Sequence, residues 1–275
     1  MTKVIAEIGI NHNGDVDAAE SLIRLAAIAG CQYAKFQKRN PDTCVPEHQK
    51  GELRDTPWGT LTYLDYKKKI EFGHTEYSHL FRFAKRCGVE IFASVWDPVS
   101  VDFMSQYTKV MKIPSALLTD LETGKYARER SELLMVSTGM STEEEIETFV
   151  EECNPDVIFH TNSAYPSPIE DLQLSYIKRL KEKYPDKVIG YSGHEYGLST
   201  TFAAVALGAK IVERHITLDR TLWGSDQLSS VEPSGLFKLV KGIKDIDVAM
   251  GEEKPREVAE SELSKRHSLR KEVKC

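Results

Sequence analysis

The sequence predicts an α/β protein of one domain, a (β/α)8 barrel. Eight short apolar runs rich in valine and isoleucine recur about every thirty residues, as strands buried on both faces do. Helical patterns separate them, so consecutive strands should run parallel. The 275 residues contain no linker-like stretch and suit a single barrel of about 250 residues. No Gly-x-Gly-x-x-Gly follows the first run, which argues against an open dinucleotide-binding sheet.

The strand-like runs are 4–10, 33–37, 90–95, 110–115, 133–138, 157–161, 188–192 and 210–216. The helix after the first begins near Asp15 and Asp17, where acids favour a helix start, and stops at Gly30. Gly88 and Gly208 also stand just before a strand, where a helix has to end. Ser141 and Thr142 followed by Glu143, Glu144 and Glu145 form another helix start. An alanine-rich helical stretch spans 200–208. The longest break is 39–75, where Pro41, Pro46, Pro57 and Gly59 exclude a long uninterrupted helix. A loop of that size after a strand belongs on the C-terminal face, where barrel enzymes keep their sites.

Composition narrows the function. Hydrophobic residues at 41% and charged residues at 28% describe an ordinary soluble globular chain. The net charge of −6 argues against a nucleic-acid surface. The basic tail at 264–274 reads as a solvated end. The first residues lead straight into a strand and no apolar run approaches membrane length, so neither a signal nor a membrane partner is expected. Cys31, Cys44, Cys87, Cys153 and Cys275 lack a Cys-x-x-Cys spacing and read as inert, reduced thiols of a cytoplasmic protein.

Polar residues gather at the C-terminal ends of the runs. They are Glu7, then Asn11, His12 and Asn13; Lys35 and Gln37; Ser94 and Asp97; Lys112 and Ser115; Ser137 and Thr138. His160, Thr161, Ser163 and Tyr165 follow, then Ser192 and His194, Glu213 and His215, and finally Asp219 and Asp226. Singly, each has a structural reading. A lysine inside a strand can pair with a buried carboxylate such as Glu7 or Glu213. His160 reads as a hydrogen-bonded core residue, and His12 as part of a turn at Asn13 and Gly14. Together, two lysines, several hydroxyls and two histidines at one barrel mouth make a cationic, donor-rich pocket. Such a pocket suits a small phosphorylated or carboxylated ligand beside a metal. His194 and His215 end adjacent strands and can reach one divalent ion. Glu7 can transfer protons.

Several stretches match a known family in order: 6–14 (AEIGINHNG), 29–37 (AGCQYAKFQ), 137–140 (STGM), 163–166 (SAYP), 190–194 (GYSGH), 213–219 (ERHITLD), 224–226 (GSD) and 230–233 (SVEP). On these, over about residues 4 to 270, the chain resembles the sialic acid synthases. The resemblance implies a cytoplasmic transferase of carbohydrate biosynthesis. It would condense phosphoenolpyruvate with an N-acetylhexosamine aldehyde, N-acetylmannosamine-like, to a nine-carbon 2-keto sugar acid and phosphate. It implies Mn2+ or Mg2+ on His194 and His215, and phosphoenolpyruvate on Lys35, Lys112, Ser115 and Ser192. Tyr165 and Asp226 would lie near the amino sugar, and Glu7 would be the proton-transfer carboxylate. Gln37, Ser94 and Ser163 complete the expected substrate-binding set.

Three departures from the family pattern shape further expectations. An acid normally stands two residues after the Ser115 position and contacts the sugar; here it is Leu117. Asp226 is followed by Gln227 where the family has an Asp-His pair. The family also carries an antifreeze-like C-terminal domain that reaches across a dimer to the acetamido group, whereas 252–275 reads as an extension or the start of such a domain. That domain could be a separate chain, and a homodimer, where one forms, would use barrel helices. Two alternatives stay open: a synthase of another ulosonic acid acting on a phosphorylated or differently substituted sugar, and a non-catalytic sugar-binding relative. The first would draw on Arg39, Lys50, Arg54 and Lys67 to Lys69.

Overall fold

Alternating strands and glycine-terminated helices close on themselves in the computed structural model, which describes residues 1–271. The strands are β1 (Lys3–Gly9), β2 (Tyr33–Lys38), β3 (Leu53–Thr56), β4 (Gly59–Thr62), β5 (Glu90–Val95), β6 (Val110–Ile113), β7 (Leu133–Ser137), β8 (Val157–Thr161), β9 (Val188–Gly193) and β10 (Ile211–His215). The helices are α1 (Val16–Ala29), α2 (Pro41–Cys44), α3 (Tyr63–Ile70), α4 (His74–Cys87), α5 (Pro98–Ser105), α6 (Leu121–Arg130), α7 (Glu143–Cys153), α8 (Tyr176–Lys183), α9 (Ser199–Ala206), α10 (Pro233–Met250) and α11 (Glu260–Leu269). All strands but β3 and β4 form one closed parallel barrel, with β10 pairing back to β1. The (β/α)8 expectation holds.

Local chemistry sets the boundaries. Asp15 caps α1 by accepting from the backbone N–H groups of Asp17 and Ala18. Gly30 ends it at φ 88°, a left-handed conformation that a side chain would strain. Thr142 and Glu145 form a reciprocal capping box on α7. The run 110–115 is shorter than expected as a strand: Pro114 has no N–H to offer the ladder, and Ser115–Leu117 turn into a 3-10 helix.

The break at 39–75 holds more structure than its prolines suggested. It folds as α2, an antiparallel β3–β4 hairpin turning at Pro57 and Trp58, and α3. Trp58 of the turn lies edge-on to Trp223, which follows β10, with ring centroids 6.0 Å apart. Tyr66 of α3 meets the same Trp223 at 5.2 Å. The insertion is therefore pinned over the barrel mouth.

Inside the barrel, Ile5, Tyr33, Phe92, Val110, Met135, Val157, Phe159 and Ile211 form an apolar floor. Gly190 leaves room for Phe159, whose ring would lie 2.7 Å from any Cβ there. Side chains alternate faces along a strand, so the next inward position on each strand sits above this floor. Those positions are polar: Glu7, Lys35, Ser94, Lys112, Ser137, Thr161, Ser192 and Glu213. Beyond α10, residues 252–259 have no regular structure and α11 buries nothing. Cys31, Cys44, Cys87 and Cys153 are unbridged; Cys275 lies outside the described residues. Among the described residues no helix is long and apolar enough to cross a membrane.

Candidate active site

The polar layer is a charge network. Lys35 Nζ lies 2.7 Å from Glu7 Oε2 and 3.7 Å from Glu213 Oε2, and donates to Ser94 Oγ at 2.8 Å. Lys112 Nζ donates to Glu213 Oε1 at 2.7 Å and sits 4.3 Å above the centre of the Phe159 ring. Ser192 Oγ donates to Glu213 Oε1 at 3.1 Å, and Gln37 Nε2 to Glu7 Oε1 at 3.3 Å. Two cations and two carboxylates share one buried space, and their balance offsets the desolvation that any of them would suffer alone.

Their protonation differs with position. Burial raises the Glu7 carboxyl to about 7, with Lys35 opposing and Glu213 adding to the rise. Burial also works against the charge on Glu213, but Lys112 and Lys35 outweigh it and hold that carboxyl at about 2. Glu213 keeps its charge and Glu7 is the group that gives way to a proton. Burial lowers Lys112 to about 8 against the pull of Glu213. For Lys35 burial is outweighed by Glu213 and Glu7, and its pKa rises.

Above this layer stand the histidines. The ring centroids of His194 and His215 are 5.5 Å apart. His194 Nδ1 is 2.6 Å from the Asn162 carbonyl oxygen. A carbonyl only accepts, so Nδ1 carries the proton and Nε2 keeps its lone pair. His215 Nδ1 is buried with no hydrogen-bond partner among the described residues, and Asp226 Oδ2 stands 3.8 Å away. Burial drives His194 down to about 3, with His215 adding to the effect, and lowers His215 as well. Two neutral imidazoles, one with a fixed tautomer and one with an orphaned nitrogen, fit a divalent cation with open positions. Among the described residues no group of three His, Cys, Asp or Glu side chains converges to complete a cage.

The two layers open into a cavity of about 180 Å³. Glu7, Lys35, Gln37, Ser94, Lys112 and Ser115 line it, with Ser163, Tyr165, Ser192, His194 and His215 opposite. Of the twelve residues singled out from sequence, only Asp226 stays off the wall, held beside His215. Tyr165 packs over His194 with centroids 4.0 Å apart. Gly139 N–H donates to Ser115 Oγ at 3.0 Å. A Cβ on Gly139 would stand 2.1 Å from Ser163 Oγ, so glycine is what lets these hydroxyls converge.

The NeuB family model matches residues 22–255. The chain belongs to the NeuB family. This NeuB-family chain is 36% identical over 255 residues to the N-acetylneuraminate-9-phosphate synthase of Homo sapiens, across 90% of its own length and 71% of the human protein. It is 33% identical over 262 residues to an N,N'-diacetyllegionaminic acid synthase of Campylobacter jejuni, across 91% and 78% of the two chains. Its structure superposes with a TM-score of 0.86 on the N-acetylneuraminic acid synthetase of Leptospira borgpetersenii, at 32% identity and covering 98% and 93% of the two chains. As a NeuB-family member it is an enzyme of the synthase kind.

The sequence reading missed Trp96 and Met140, which also line the cavity, and took Glu213 only as a lysine partner. Counting two residues on from each floor residue would have found Glu213. The expectation for Leu117 needs correction. It packs against the core between barrel and helices, while its neighbour Ala116 faces the cavity. Gln227 is buried and structural: it accepts from Thr217 Oγ1 and donates to the Asn11 carbonyl at 3.1 Å. Asp97 is likewise a helix cap, accepting from Ser100 N–H at 2.7 Å. His160 is a core residue as expected, 2.6 Å from the Leu172 carbonyl.

A second network holds the loop that carries His194. Glu195 is fully buried beneath it. Arg214, on the outer face of β10, pairs with Glu195 Oε1 at 3.1 Å and donates to the Gly197 carbonyl at 2.9 Å. Tyr191 OH donates to Glu195 Oε2 at 2.9 Å and Thr200 Oγ1 to Oε1 at 2.6 Å.

Proposed function

We propose that the chain condenses phosphoenolpyruvate with the open-chain aldehyde of an N-acetylhexosamine, giving a nine-carbon 2-keto sugar acid and phosphate. The paired lysines of the polar layer above the barrel floor, set beneath two neutral imidazoles, carry this reading. Relatives named for sialic, sialic 9-phosphate and legionaminic acid synthesis support the same class of product.

Lys35 and Lys112 offset the carboxylate and phosphate charge of the enol phosphate, already fixed in place by Glu7 and Glu213. Ser115 and Ser163 offer further donors to those oxygens, with Ser115 Oγ held by the Gly139 N–H. C3 of the enol phosphate attacks the aldehyde carbon, whose oxygen takes the proton carried by Glu7. Water then adds at C2 and gives its proton to the Glu7 carboxylate. The C2–O bond breaks, the departing phosphate takes the bonding pair and the C2 hydroxyl proton, and the 2-keto group remains. His194 and His215 would hold Mn2+ or Mg2+, which when bound polarises the aldehyde oxygen. Tyr165 and Asp226, on either side of that pair, would bound the sugar.

Incubation with phosphoenolpyruvate, Mn2+ and a panel of N-acetylhexosamines should release phosphate and yield a product heavier than the sugar by the three-carbon keto acid. Phosphate release without a new carbon chain in the mass spectrum would refute the reading.

A further inference from the structure

The β9–β10 ladder stops at the Gly193–Arg214 pair, one residue short of His194. His215 is fixed from its other side: β1 pairs Glu7 with it, and its carbonyl accepts from the Val231 N–H at 2.7 Å. His194 has its carbonyl on the Ser167 N–H at 3.3 Å and its ring on the Asn162 carbonyl, both in the segment after β8. What spans the gap from β10 to the His194 loop is a side chain.

That side chain is Arg214, which reaches four acceptors on the loop and the start of α9. They are Glu195 Oε1 at 3.1 Å, the Glu195 carbonyl, the Gly197 carbonyl at 2.9 Å and Thr201 Oγ1 at 2.9 Å. Tyr191, Thr200 and Thr201 also donate to the Glu195 carboxylate. A Cβ on Gly193 would stand 2.6 Å from Glu195 Oε2, so only bare backbone admits the carboxylate there. Each member of the pair adjoins an imidazole: Glu195 follows His194, and Arg214 precedes His215. Neighbours on a strand point to opposite faces, so the ion pair lies behind the sheet and the rings in front. Apolar side chains of the same volume would stabilise such a fold as well. What charge-assisted bonds in fixed directions add is geometry.

We propose that Arg214 and Glu195 are positioning residues that set the spacing of the His194 and His215 imidazoles, and with it the affinity for the divalent cation. The inference rests on the metal role of those imidazoles in the condensation reading. The ring centroids stand 5.5 Å apart before any ion arrives. A loop tied to β10 keeps that spacing, whereas a loosened one would have to be reordered by the ion itself, at a cost to binding.

The test titrates Mn2+ into the metal-free chain by calorimetry and records the visible ligand-field spectrum of the Co2+-loaded chain. Arg214→Met combined with Glu195→Gln removes both charges, so neither is left buried alone and the barrel should stay folded. This double variant should bind Mn2+ about 10- to 100-fold more weakly and show a changed Co2+ spectrum. Phosphoenolpyruvate binding, measured without metal, should move by no more than about 2-fold, which a general loosening of the barrel would not allow. Thr200→Val keeps the ion pair and loses one bond to it, so it should weaken Mn2+ by only about 3-fold and serves should the double variant fold poorly. Wild-type Mn2+ affinity and an unchanged Co2+ spectrum in the folded double variant, or in Thr200→Val where only that one folds, would overturn the inference. So would a wild-type chain that binds neither ion. A chain that binds Mn2+ but condenses no sugar sinks the condensation reading alone, and the metal affinities of the variants still decide this one.

Discussion

Glu7 is where charge, burial and position meet in one side chain. Its carboxylate pairs with Lys35 and faces the same cavity as His215. Glu7→Gln keeps the shape and the contact with Gln37 but removes the proton acceptor. We expect kcat to fall about 100-fold or more with little change in phosphoenolpyruvate affinity, read by phosphate release and calorimetry. Unchanged turnover would make Glu7 a structural partner of Lys35. His12 gives a second residue-scale expectation. It stacks on Phe72 at 4.2 Å and accepts the Gly14 N–H at 3.0 Å. Burial lowers it from 6.5 to about 3. An unfolded chain binds this proton below pH 6.5 and the folded one does not, so the stability is complete above pH 6.5 and is lost as pH falls toward 3. Denaturation midpoints should drop across that window, and His12→Asn, which cannot titrate there, should flatten the slope. Much of this was legible beforehand: two lysines and two carboxylates at strand ends already suggested pairing. The burial of Lys67 was not, because the sequence offers Lys67 to Lys69 alike and only the folded α3 lays Lys67 over the rings of Tyr63 and Tyr66 while Lys68 and Lys69 stay exposed.

Among the elements, the β9–α9 loop depends on a bond network from the far side of the sheet. Arg214 and Glu195 are 19 residues apart and meet only once β9 and β10 lie side by side. An arginine within a strand gives no sequence sign of whether its partner is water or a buried acid, and this pair went unread. Arg214→Met should cost about 3–5 kcal/mol by leaving Glu195 buried and unpaired, as measured by denaturant unfolding. Adding Glu195→Gln should cost far less than a second independent loss. Additive losses would mean the two groups act separately. Leu117 shows the opposite failure. Its position relative to Ser115 suggested a sugar contact, but the 3-10 turn after Pro114 rotates it to the helix side. Turn geometry, set by one proline, decided the facing.

For the whole molecule, the barrel followed from periodicity because each strand is buried on both faces and each helix is stopped by a readable cap. The folded insertion at 39–75 did not, since its hairpin is held by Trp223, far along the chain. A preformed charge network linked to six of the eight barrel strands makes ligand occupancy a stability matter for the entire fold. Saturating phosphoenolpyruvate with Mn2+, at about 100 times Kd, should add about 2.7 kcal/mol and raise Tm by about 5 °C. Stripping divalent ions should abolish turnover and the Mn2+-dependent part of that shift, and returning Mn2+ should restore both. His194→Ala or His215→Ala should lose turnover while keeping the barrel. Full activity in a metal-free sample would rule out a cation on those imidazoles.

The aromatic clasp over the mouth also has an optical side. The chain's three tryptophans, Trp58, Trp96 and Trp223, all stand at this end: one on the cavity wall and two edge-on in the clasp. Intrinsic fluorescence therefore watches the entrance and is blind to the floor and the outer helices. Ligand entry should change emission before any global unfolding does, and Trp96→Phe should remove the part that reports on the cavity wall. The protein comes with a built-in light at its own doorway.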